Sequence, residues 1–104
     1  MKTSELTGAA LDWAVAKCEG EPEYITGKPW RAMWPSYSTD WSQGGPIIER
    51  EKITVRFWEG EDFVHAYVWN REGWTEGPTP LIAAMRCYVA SKLGDDVEIP
   101  EELK

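Results

Sequence analysis

One histidine, two cysteines and only eleven basic residues stand among the 104 residues of the chain. With His65 as the only imidazole, any Ser-His-Asp or Cys-His arrangement would have to be built at that one position. Cys18 and Cys87 lie far apart in apolar helical patterns and lack the short pairing of a zinc or redox site. They read as buried, reduced thiols, which are inert as nucleophiles. One His and two distant Cys fall short of a tetrahedral metal set, and the carboxylates show no calcium-loop spacing, so neither metal nor cofactor is expected. Eighteen acidic residues against eleven basic give a formal net charge of -7, which repels a phosphate backbone and excludes bulk nucleic acid as an expected partner. No apolar run approaches the roughly 20 residues of a membrane span. Met1 leads into Thr3, Ser4 and Glu5 without the basic patch and apolar stretch of a secretory signal, so a cytoplasmic protein that does not engage a membrane is expected.

What the chain does have is aromatic surface. Seven Trp, four Tyr and two Phe exceed what a small core needs, which leaves rings for a surface or a cleft. The length suits a single domain over residues 1–104, without repeats or low-complexity tracts.

The apolar spacing of Leu6, Ala10, Leu11, Ala14, Val15 and Cys18 predicts a helix over 7–18, with Thr7 as N-cap, Leu6 and Leu11 as a staple and Gly20 as the stop. Loop follows, with Tyr24, Ile25 and Thr26 offering at most a short extra strand. Ser38, Thr39 and Asp40 can each cap a second helix over about 40–50, which Gly44, Gly45 and Pro46 should kink or restart. Ile53 to Glu59 and Phe63 to Asn70 read as an antiparallel hairpin around Gly60, Glu61 and Asp62. Alternation puts Ile53, Val55 and Phe57 with Val64, Ala66 and Val68 on apolar faces. The opposite faces carry Thr54, Arg56 and Trp58, and Phe63, His65, Tyr67 and Trp69. A last helix over 79–93 has Thr79 as N-cap, Pro80 at N1 and Gly94 as terminator; being apolar almost all round, it should be buried on more than one side. The acidic tail from Asp95 reads as irregular and loosely packed. An α+β fold results, with an antiparallel sheet packed with helices.

Catalytic residues are not expected. For binding, Trp30, Trp34, Tyr37 and Trp41 fall within a dozen residues, interleaved with Asp40 and Gln43, as a pocket for a planar ligand requires. Trp74 adds a ring. Thr79 follows Gly77-Pro78 at a helix start, where unpaired N–H groups suit an anion. Arg86 interrupts the apolar last helix and cannot shed its charge, so it must find partners or reach water. Asp40 is the expected partner. Trp34, Tyr37, Asp40, Trp41, Gln43, Trp74, Thr79 and Arg86 are therefore the candidate ligand-binding residues.

Three blocks resemble a known family. Leu6-Thr7-Gly8-Ala9-Ala10-Leu11-Asp12-Trp13-Ala14-Val15-Ala16, the run Tyr37-Ser38-Thr39-Asp40-Trp41 into Gly44-Gly45-Pro46-Ile47-Ile48-Glu49, and Gly77-Pro78-Thr79-Pro80-Leu81-Ile82-Ala83-Ala84-Met85-Arg86 are similar to NinX-type proteins of lambdoid bacteriophages. The Ser-Thr-Asp helix entry, the hairpin and the Pro-Leu-capped helix with an internal Arg also resemble the phage α-β-α sandwich domain, whose pattern lacks this Gly-Gly-Pro. The first resemblance implies a phage accessory protein made in the cytoplasm of an infected bacterium, and supplies no catalytic residues. Two functions are expected in order: non-enzymatic binding of a small, nucleotide-like molecule in an aromatic cleft, sequestering a host defence signal, and then docking of a host or phage protein on exposed aromatics. Homo-oligomerisation is compatible with either.

Overall fold

The computed structural model of the protein describes residues 1–20 and 35–103. A 3-10 turn at Thr3–Glu5 leads into helix α1, Gly8–Cys18; helix α2 spans Trp41–Glu51; strands β1, β2 and β3 span Thr54–Phe57, Val64–Tyr67 and Thr75–Gly77; helix α3 spans Pro80–Leu93; a second 3-10 turn lies at Glu101–Leu103. The strands form one antiparallel sheet in the order β1-β2-β3. The extra strand placed at 24–26 by sequence lies outside the described residues, and the third strand found is Thr75–Gly77.

Helix α3 is the axis of the fold. It packs on the sheet through β2 and β3, while α1 and α2 pack on α3 itself. This double contact explains its all-round apolarity: Leu81, Ala83, Ala84, Met85, Cys87, Tyr88, Val89 and Ala90 are all buried. Thr79 caps it as expected, its Oγ1 accepting from the Ile82 N–H at 3.1 Å. Gly94 ends it at a φ of 88°, a conformation that costs a residue with a Cβ more than glycine.

On the sheet, Val64, Ala66 and Val68 face α3 and are buried, as alternation predicts. Phe57 points to the same side but is 71% exposed, because edge strand β1 runs out from under the helix. Thr7 stands at the N-cap of α1 with extended backbone, yet its side chain makes no capping bond. Both cysteines are unpaired, and burial pushes each thiol up to about 11, so they stay protonated at neutral pH.

Helix α2 runs unbroken through Gly44, Gly45 and Pro46, where the sequence suggests a kink or restart. The N–H that Pro46 lacks would have met the Ser42 carbonyl, one turn earlier in an exposed part of the helix where water can serve instead. The acidic tail is the second correction. It pairs with the start of the chain: Thr3 N–H donates to the Asp95 carbonyl at 2.8 Å, Val97 N–H to the Met1 carbonyl at 2.9 Å, and Thr3 Oγ1 to the Gly94 carbonyl at 2.6 Å. Val97 and Ile99 are thereby carried into the core.

A polar clasp joins the C-terminal ends of α1 and α2 to α3. Arg50 donates to Glu19 through both Nη atoms at 3.0 and 2.6 Å and to Glu51 through Nε at 2.8 Å, while the Tyr88 hydroxyl donates to Glu19 Oε2 at 2.5 Å. The Arg50 hydrogen bond holds the Glu19 carboxyl below its usual range, against the opposing effect of burial and with help from Tyr88. A lowered carboxyl pKa stabilises the folded state at pH above the unfolded value of about 4.3, and that contribution disappears as pH falls through the folded value. Denaturant titrations of the wild type and of Glu19→Gln should therefore differ at neutral pH and converge on acidification. A gap that stays constant down to the acid transition would show that the carboxylate charge is not what stabilises the clasp.

Candidate functional site

The residues expected to bind a ligand separate into three groups. Trp34 lies outside the described residues, as does Trp30. Tyr37, Asp40 and Gln43 build the entry to α2. Asp40 Oδ1 accepts from the Ser42 N–H at 2.9 Å and from the Ser42 hydroxyl at 2.6 Å, and its Oδ2 accepts from Gln43 Nε2 at 2.9 Å; Gln43 Oε1 in turn accepts from the Ser36 N–H at 2.8 Å. Tyr37 is buried in the core, whereas Trp41, the first residue of α2, is exposed. Thr79 is engaged in capping α3.

Asp40 and Arg86 do not pair. The Asp40 carboxylate is satisfied by its own helix start, and its hydrogen bonds from Ser42 and Gln43 hold its pKa below the usual range. Arg86 instead donates to two main-chain carbonyls, Nε to Leu6 at 2.7 Å and Nη1 to Glu76 at 2.7 Å. The carbonyls of Leu6, just after the first 3-10 turn, and of Glu76, on edge strand β3, are acceptors that a planar five-donor group can serve together, so a carboxylate is not needed. The tie between the Tyr37 segment and the helices comes from Asp12, which is buried in α1 and accepts the Ser38 N–H at 2.8 Å. Burial raises the Asp12 carboxyl pKa, and hydrogen bonding from Ser38 opposes the shift.

Only Trp74 and Arg86, of the expected set, line described concavities. Both border an open groove of about 930 Å³ between the 3-10 turn, β3 and the start of the tail, with Lys2, Arg71 and Asp95 along its sides. Trp74 also forms a wall of a smaller cleft of about 390 Å³, with Trp58, Glu61, His65 and Tyr67. This second cleft lies on the sheet face turned away from α3. It follows directly from strand register: Arg56 pairs with His65 and His65 with Glu76, while Tyr67 pairs with Thr54, so the side chains opposite to the buried Val64 and Ala66 converge there.

The rings are ordered. His65 stacks nearly parallel to Phe63 and to Trp74, with interplanar angles of 4° and 6° and centroids 5.4 and 5.7 Å apart, while Trp58 leans on it at 50°. His65 is almost covered, with 13% of its side chain exposed. Its Nε2 lies 3.2 Å from Glu61 Oε2 and 3.7 Å from Glu76 Oε1. Neither approach has hydrogen-bond geometry, so the nitrogen is buried without a directed partner among the described residues. The Trp74 indole N–H donates to Glu76 Oε1 at 3.3 Å, and the Arg56 guanidinium sits 4.5 Å from the Trp58 ring centre. Trp74 nevertheless stays 60% exposed and Trp58 44% exposed. Such an arrangement can receive a flat group against ring faces and can offer carboxylate oxygens at its edge.

Sequence reasoning found the alternating aromatic face of the hairpin but did not gather Trp58, Glu61, Phe63, His65, Tyr67 and Glu76 into a site. The available signal was that five of the seven hairpin residues facing away from the core are aromatic or imidazole rings, more than a solvated face requires.

The bacteriophage P22 NinX family matches residues 2–92. The chain belongs to that family. It is a phage accessory protein in that sense, and the expected NinX resemblance holds over most of its length. No curated protein matches it. Among the described residues no helix is long and apolar enough to cross a membrane, and no group of His, Cys, Asp and Glu is placed to hold a metal ion.

Proposed function

We propose that this NinX-family protein works by binding, not by catalysis, and that it takes a small planar group in the cleft formed by Trp58, Glu61, His65, Tyr67 and Trp74. The observation that carries the reading is the cleft itself: about 390 Å³ of open space bordered by rings, of which His65 and Trp74 lie nearly parallel, while indole surface stays in water. A volume of this order matches the lower range of small-molecule sites, roughly 300–1,000 Å³. Support for binding over chemistry comes from the protonated thiols and from the imidazole, which is wedged between rings. A complete nucleotide fits this place less well than a base alone, since Glu61 would oppose its phosphates. In an infected bacterium, such a protein would lower the free concentration of its ligand.

A second reading, docking of a host or phage protein, is favoured by one further observation. Trp69, just beyond β2, is 80% exposed, more than any other large hydrophobic residue among those described, and it sits outside the cleft lining. Large exposed aromatics are the usual anchors of protein interfaces.

Trp74→Ala distinguishes the two. Truncating a stacking ring costs about 1–3 kcal/mol of binding per base or comparable group, while an exposed ring contributes little to folding. Protein recovered from infected cells should carry a small molecule detectable by mass spectrometry, and Trp74→Ala should lose it with an unchanged melting temperature. A wild-type preparation free of small molecules that instead binds a partner protein through Trp69 would reverse the order of the two readings.

A further inference from the structure

Glu61, in the wall of the sheet-face cleft, and Glu76, beside it, lack among the described residues the close basic partners that Glu19, Glu51 and Asp95 have. Glu19 and Glu51 are neutralised by Arg50, with Lys92 adding to Glu51, and Asp95 is paired with Arg71 at 2.7 Å. Glu61 and Glu76 have no Lys or Arg within ion-pair distance among the described residues; His65 lies 3.2 and 3.7 Å from them, and Arg56, opposite His65 across the sheet, lies over Trp58. Glu61 accepts no hydrogen bond there, and Glu76 accepts only the 3.3 Å bond from Trp74. Two acids without an ion-paired Lys or Arg among the described residues thus stand beside the partly exposed Trp58 and Trp74 and the half-buried Tyr67.

Resting on the binding role of this cleft, we infer that its occupant is a small organic cation whose charge is spread over a flat surface, an aromatic ammonium or a guanidinium. Three features point the same way. Ring faces attract such charge through their quadrupoles, best of all from indole. The molecule already shows this attraction within itself, since the Arg56 guanidinium lies over Trp58 at 4.5 Å. The carboxylates add a Coulombic term that apolar walls strengthen by lowering the local dielectric. A formal net charge of -7 draws cations towards the protein from a distance. The same features disfavour an anionic ligand of equal shape, which would meet Glu61 in the cleft wall and Glu76 beside it.

Calorimetric titration of the full chain at neutral pH with three probes of matched shape tests this: N-methylquinolinium as the cation, quinoline as the neutral form and 2-naphthoate as the anion. N-methylquinolinium should bind about tenfold more tightly than quinoline, and 2-naphthoate most weakly. The preference should weaken with added salt. Glu61→Gln combined with Glu76→Gln should level the cation and neutral affinities by weakening N-methylquinolinium. Trp74→Ala should weaken both probes together. N-acetyl-arginine methylamide serves as a fourth probe: tighter binding than N-methylquinolinium identifies an arginine side chain as the source of the cation, and weaker binding identifies a free aromatic cation. If quinoline and 2-naphthoate bind as well as N-methylquinolinium, the charge preference is overturned and the planar cleft stands. If no probe binds, or Trp74→Ala leaves binding unchanged, the cleft reading itself fails.

Discussion

Arg86→Ala is expected to lower folding stability by about 2–4 kcal/mol. The guanidinium joins three parts of the fold, reaching from α3 to the Leu6 carbonyl before α1 and to the Glu76 carbonyl on β3, both at 2.7 Å. Hydrogen bonds to charged groups contribute about 1.5–3 kcal/mol each, and the bond to Glu76 belongs at the low end because it is exposed. Burial lowers the pKa of Arg86, which nonetheless stays charged at any pH the fold survives. Arg86→Lys should recover less than half of the loss, because one ammonium on a flexible stem cannot hold two carbonyls at the angles that a planar fork serves. Equilibrium denaturation of the three proteins checks the ranking. Adding Asp40→Asn to Arg86→Ala should change stability additively within ~0.5 kcal/mol, since Asp40 is occupied at the start of α2. A large coupling would mean that the two side chains communicate despite their separate partners.

How far the sequence revealed this molecule depends on whether the determining interaction is local. Helix α3 was legible because its signals sit within it: Thr79 and Pro80 at the start, Gly94 at the end, and apolarity on every side that the sheet and the other two helices then cover. The hairpin was legible for the same reason, since alternation is a property of each strand. Strand β3 was not, because Thr75-Glu76-Gly77 is too short to show a period and is defined by pairing with β2. The tail was misread because burial of Val97 and Ile99 depends on pairing with Met1 and Thr3 across nearly the whole chain. Arg86 shows the limit of charge reasoning. Its need for partners was readable, but main-chain carbonyls carry no mark in the sequence, and the choice of Asp40 was drawn from side chains alone. The cleft combines these cases: Trp58, His65 and Tyr67 were placed on one face by alternation, and Trp74 closed it only once β3 had brought it alongside.

The adjacent glycines of α2 should respond to alanine with opposite signs. A Cβ on Gly44 would overlap the Tyr37 carbonyl oxygen and come within 2.7 Å of Leu81 Cδ2. The side chain could turn aside, but the carbonyl belongs to a turn fixed by the Asp12 acceptor and by the Gln43 bond to Ser36, so α2 itself would have to move. Overpacking of this kind costs roughly 1–3 kcal/mol, and displacement of a helix places the expected net loss near the top of that range. Gly45→Ala meets only Trp41 Cε3 at 3.7 Å, an ordinary contact. Neither glycine has a positive φ, so Gly45→Ala receives the helix-propensity gain of about 0.8–1 kcal/mol in full. Gly44→Ala gains the same propensity, which the clash outweighs. Thermal and denaturant unfolding of the two variants should therefore bracket the wild type, Gly45→Ala above and Gly44→Ala below. Stabilisation by both would show that α2 can slide away from the Tyr37 turn at little cost, and that the Gly-Gly-Pro segment owes nothing to close packing.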